Sequence, residues 1–112
     1  MARTSLTAQS ISRTGLTHTF VAADQPNGNQ FLNVDERAFL YVKNANAGTI
    51  VVTIGTPNTV DDLAVADRTV SIATGVNKLI GPFPKEHYNQ TDGMVYIDYD
   101  IGTSVTIAVI RL

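Results

Sequence analysis

The chain has 112 residues, 44% of them hydrophobic, no Cys, and a formal net charge of −2 with a pI near 5.5. That length suits one domain with a core of its own. The totals exclude disulfides and thiol chemistry, argue against a nucleic-acid partner, and leave no window near the roughly eighteen apolar residues of a membrane-spanning helix.

The opening stretch, MARTSLTAQSISRTGL, holds two Arg and no acid. Its larger apolar residues, Leu6, Ile11 and Leu16, are five apart, which fits neither a helix face nor a strand face. Polar residues interrupt the place where a signal peptide would need an apolar run. Residues 1–16 are therefore expected to be an extended N-terminal arm, with 17–112 as the folded body.

In the body, Thr, Val and Ile dominate, and these β-branched residues suit a pleated surface. HTFVAA (18–23) is a first short run, closed by the loop DQPNGNQ. RAFLYVKN (37–44) alternates, with Ala38, Leu40 and Val42 on one side and Phe39, Tyr41 and Lys43 on the other. ANAG then turns the chain into TIVVTI (49–54), with Ile50, Val52 and Ile54 inward, and the two runs read as a β-hairpin. GTPNTVDDLAVAD (55–67) reads as a loop with a short edge segment. RTVSIA (68–73) points Val70 and Ile72 inward. KLIGPF (78–83) suits a sheet edge because of Gly81-Pro82 and Pro84, and KEHYNQ suits one helical turn. MVYIDYDI (94–101) and SVTIAVIRL (104–112) read as a last hairpin. Val95, Ile97, Tyr99 and Ile101 share a face of the first run, and Val105, Ile107 and Val109 share one in the second. About seven short strands without a long helix predict an all-β fold, an antiparallel β-sandwich.

Chemistry is sparse. His18 and His87 are far apart in sequence and read as surface residues, not as a base or a metal pair. Asp61, Asp62 and Asp67 fall in one loop without the order of a calcium hand, and Asp98 and Asp100 lie on one strand face, where outward charge blunts edge pairing. Arg37, Phe39, Tyr41 and Lys43 come nearest to a nucleic-acid-binding face, yet read as a half-exposed strand face. No Trp offers a sugar platform. The expectation is no enzyme, no cofactor, no metal, no small-molecule substrate, no nucleic acid and no membrane.

Over nearly its whole length the chain resembles small structural proteins of tailed bacteriophages and prophages. The resemblance rests on MARTSLTAQSISRTGL, FVAAD followed by GNQF, FLYVKNANAG with TIVVTI, TPNTVDDLAVADRTVSIATG, IGPFPKEHYNQTDGMVYIDY and the final β-run. It implies a virion protein, most like a capsid decoration (cement) protein. Such a protein would be assembled in the host cytoplasm, sit on the capsid exterior as a homotrimer, and bind the major capsid protein and its own copies. A head-completion, tail or baseplate component is the rival within that group. A host-surface or sugar-binding module on a similar sandwich is the rival outside it. On this reading the arm binds a partner, with Leu6, Ile11 and Leu16 as apolar anchors and Arg3 and Arg13 meeting acidic patches. The arm carries formal charge +2 and the remainder −4, which favours such docking.

Overall fold

A computed structural model describes residues 3–112. Its strands in chain order are β1 (Thr4–Leu6), β2 (Gln9–Ser10), β3 (Val21–Ala22), β4 (Asn29–Leu32), β5 (Ala38–Asn44), β6 (Ile50–Ile54), β7 (Thr59–Val60), β8 (Leu63–Ala64), β9 (Arg68–Ile72), β10 (Asn77–Ile80), β11 (Met94–Tyr99) and β12 (Val105–Arg111). One helical turn, α1 (Lys85–Tyr88), precedes β11. The chain is all-β, as its β-branched runs predict. The expected seven antiparallel strands are corrected to twelve strands in three sheets among the described residues. One five-stranded sheet runs β1-β4-β11-β6-β9. A second runs β10-β5-β12-β2, with β3 also on β12. A two-stranded sheet is made by β7 and β8 alone.

The alternating runs bury the faces they were expected to bury. Leu40 and Val42 of β5, Ile50, Val52 and Ile54 of β6, Val95 and Ile97 of β11, and Val105, Ile107 and Val109 of β12 all enter one shared core. Ile72 joins them, while Val70 is only partly buried because β9 is an edge strand. Ile101 is exposed, since β11 ends at Tyr99. The core also takes in Phe31 and Phe83, whose ring centroids are 5.8 Å apart. The Gly81-Pro82 run does follow an edge strand, β10, and the expected helical turn forms at Lys85–Tyr88.

Both expected hairpins are corrected. β5 and β6 do not pair, and neither do β11 and β12. Each couple is split between the two large sheets. A period-2 pattern reports which face of a strand is buried, not which strand lies beside it. The corners supply the reason. The buried Asn44 donates from Nδ2 to the carbonyls of Gly48 (3.0 Å) and Ile72 (2.8 Å), and its Oδ1 accepts from the Asn46 N–H (2.9 Å). The two crossing loops also clasp one another. Asn46 Nδ2 donates to the Thr103 carbonyl (2.8 Å) and the Ala45 N–H to the Ser104 carbonyl (2.9 Å). A hairpin does form within the stretch read as a loop. Asp61 (φ 52°) and Asp62 (φ 62°) make the tight turn between β7 and β8. Positive φ at both central residues is what a two-residue hairpin turn requires, and Asp is among the side chains that tolerate it.

The arm is corrected as well. Residues 1–2 lie outside the described residues, but β1 pairs in parallel with β4 and β2 in parallel with β12. The segment is thus a strap that adds a strand to each large sheet of its own chain, and it makes the sheets mixed. Its pieces are three and two residues long, and they change sheet at Thr7-Ala8. No periodicity can build up over such lengths. Leu6 and Ala8 pack against the core.

Ile54 is fully buried among these strands. Ile54→Ala is expected to cost about 2–5 kcal/mol through lost transfer energy and the cavity left behind, measured by urea or thermal unfolding.

Candidate interaction surfaces

The five residues expected to meet a partner are not gathered on one surface. Arg3 is turned onto its own chain. Its guanidinium forms a bidentate pair with Asp98 (2.8 and 3.1 Å), and Nη1 also reaches the carbonyls of Ile97 (3.2 Å) and Asn29 (3.4 Å). It lies 4.3 Å from the centre of the Tyr96 ring. Gly28 (φ +84°) lies directly beneath: a Cβ there would run into Arg3, Asp98 and the Ile97 carbonyl. Leu6 is half-buried on the core. The Ile11 N–H donates to the Arg111 carbonyl (2.9 Å), but its side chain is 46% exposed. Arg13 is exposed and Leu16 half-buried.

Asn29, fully buried in β4, ties the strap to the sheet. Its Nδ2 donates to the Thr4 carbonyl (3.1 Å), while its Oδ1 accepts from the Asp24 N–H (3.0 Å) and the Tyr99 hydroxyl (2.7 Å). Burial holds the Tyr99 phenol far above its ordinary pKa, and the charges of Asp98 and Asp24 push the same way.

The carboxylates singled out in the sequence serve the fold. Asp98 holds Arg3. Asp100 accepts from the Val51 N–H (2.8 Å), and Asp67 from the Thr56 N–H (2.9 Å). Asp61 and Asp62 form the hairpin turn. The two histidines lie in different settings. His18 packs edge-on against Phe20 at 5.0 Å and lies 5.7 Å from the Tyr41 ring. The Lys43 ammonium stands 5.0 Å over Phe20. His87 is 3.6 Å from Glu86. Among the described residues no three His, Asp or Glu side chains gather as a metal-binding set, and no helix is long and apolar enough to cross a membrane.

Two apolar surfaces were not legible in the sequence. On the β7–β8 hairpin, Val60 and Leu63 are 59% and 70% exposed. Leu79 and Leu112, 64% and 69% exposed, flank an open groove of about 390 Å³ with Phe39 and Pro82. For the first, the local sequence holds only a weak sign, Val60 and Leu63 on either side of the acidic pair Asp61-Asp62. The second joins residues far apart in the chain. Comparison with known proteins adds no assignment: no family model, no curated protein and no solved structure matches this chain.

Two outcomes follow for the strap and its anchor. Deleting residues 2–11 strips a strand from each large sheet and bares the edges of β4 and β12. The melting temperature is expected to fall by about 5 °C or more, the scale of a 1 kcal/mol loss in a domain of this size; an unchanged melt would show that the strap contributes nothing. Tyr99 governs alkaline behaviour. Its phenol is raised in the folded state, so above about pH 10 the unfolded chain releases a proton that the native chain retains. Stability contributed below that pH is then lost as pH rises. Thermal melts should decline above about pH 10, and more steeply for the native chain than for Tyr99→Phe.

Proposed function

We propose that this chain is a structural protein of a tailed-bacteriophage virion, a capsid decoration protein that binds the outer shell and stabilises contacts between capsomers. Its two five-stranded sheets around one core are read as a β-sandwich carrying surface attachments. Its partners would be the major capsid protein and its own copies, as a homotrimer on the capsid exterior. The whole-chain resemblance to small phage structural proteins supports this reading. The observation that carries it is the β7–β8 hairpin. That hairpin pairs with no other strand among the described residues, presents Val60 and Leu63 to solvent, and carries Asp61 and Asp62 at its turn. A two-stranded sheet is marginal alone in water, and apolar side chains beside acids suit insertion into an apolar pocket flanked by basic groups.

The test is cosedimentation of the purified protein with undecorated capsids. Leu63→Asp is expected to leave the melting temperature near that of the native chain, because the side chain is exposed, and to weaken attachment about tenfold or more. Attachment by the variant equal to the native chain's would remove the hairpin from the interface. No attachment by the native chain would remove the capsid reading.

A further inference from the structure

A second recess lies beside the same hairpin. It is an open cleft of about 620 Å³ between the β7–β8 segment and α1. That falls within the about 300–1,000 Å³ of small-ligand sites. Unlike the groove at Leu79 and Leu112, its wall is mostly polar.

Its cation is Arg68, an exposed residue at the start of the edge strand β9. The Arg68 Nε–H donates to the Tyr88 hydroxyl at 3.5 Å, and Tyr88 is itself braced edge-on against the buried Phe83 at 5.3 Å. The guanidinium is charged at any working pH. Two acids line the same cleft, and of these Asp67 is hydrogen-bonded through a carboxylate oxygen while Glu86 is exposed. Asp67 directs Oδ1 at the Thr56 N–H (2.9 Å) and hydroxyl (3.2 Å). Glu86 lies beside His87. Among the described residues Arg68 forms no ion pair. The cleft therefore presents a guanidinium outside any ion pair, whose terminal N–H groups have the fork geometry that matches a carboxylate.

The rest of the wall narrows the class of ligand. The hydroxyls of Thr59 and Thr69 give and accept hydrogen bonds, and Asn58 Oδ1 and the second oxygen of Asp67 accept them. Alternating donors and acceptors on an open polar wall match a polyol, each of whose hydroxyls does both. We propose that this cleft binds a carboxylated saccharide, with the sugar carboxylate held by Arg68 and the ring hydroxyls by the Thr, Asn and Asp groups around it. The site is independent of the capsid reading, since no step of the argument uses the shell.

The experiment is isothermal titration of the full chain with a galacturonic acid trimer, its methyl ester and acetate, repeated with Arg68→Gln and Arg68→Lys. The trimer is expected to bind saturably and more weakly as salt is raised. Esterification and Arg68→Gln should each weaken binding about tenfold or more, the scale of a lost charge-assisted pair. Arg68→Lys, which keeps the charge but not the fork, should fall between. Acetate should displace the trimer only at far higher concentration. Equal affinity for acid and ester would overturn the proposal, as would an unchanged Arg68→Gln or the absence of saturable binding. Displacement by acetate at matched concentration would overturn the saccharide assignment. Thermal melts establish that the variants fold. Should Arg68→Gln not fold, the comparison of acid with ester on the native chain decides alone.

Discussion

Three buried asparagines hold this fold at the places where the chain changes sheet. Among the described residues, Asn29, Asn33 and Asn44 are the buried side chains that carry an amide. Asn29 fixes the strap through the Thr4 carbonyl. Asn33 donates to the Phe83 carbonyl (2.7 Å) and to Asn89 Oδ1 (2.8 Å), and Asn89 returns a hydrogen bond to the Asn33 carbonyl (3.0 Å). Asn44 satisfies two carbonyls at the corner between β5 and β6. A chain leaving a sheet abandons ladder hydrogen bonds, and an unpaired buried carbonyl or N–H is costly. An amide side chain carries donor and acceptor together; Asn29 and Asn44 use both, while Asn33 acts through its Nδ2 donors and its Oδ1 is left buried without a partner.

That arrangement also explains the strap. Once the strands are dealt alternately to two sheets, β4 and the far side of β12 are left with open edges. An open edge is a row of unpaired backbone groups and a route to aggregation. The opening residues cover part of each, with β1 along β4 and β2 beside β3 on β12. Arg3 locks the first of these by reaching across β4 to Asp98 on β11. The approach is close enough that position 28 admits only glycine without displacement.

With the core closed and the edges partly covered in this way, the exposed groups free to meet other molecules are concentrated on the excursions between strands. The β7–β8 hairpin contributes most. Its exposed apolar side chains face solvent, and its base forms one wall of the Arg68 cleft. A lattice contact through Leu63 and a ligand at Arg68 would therefore share one short segment. Anything that orders the hairpin on a partner would also shape the cleft.

The sequence by itself determined the class of fold and most of the core. Alternation of β-branched residues with polar ones specifies strands and their buried faces, and Leu40, Ile54, Ile97 and Ile107 were legible for that reason. It also placed the edge strand before Gly81-Pro82 and the turn of helix at Lys85, because proline and short polar runs act locally. Only the tertiary structure decided which strands are neighbours, that β1 and β2 join the two large sheets, and that Arg68 forms no ion pair among the described residues. Those facts rest on pairings across long stretches of chain, such as Arg3 with Asp98 and Asn33 with Phe83. A strand's pattern records the polarity of its two faces, but its hydrogen-bonding edges are the same for every residue, so the identity of the partner is written in the assembled fold and not in the local sequence.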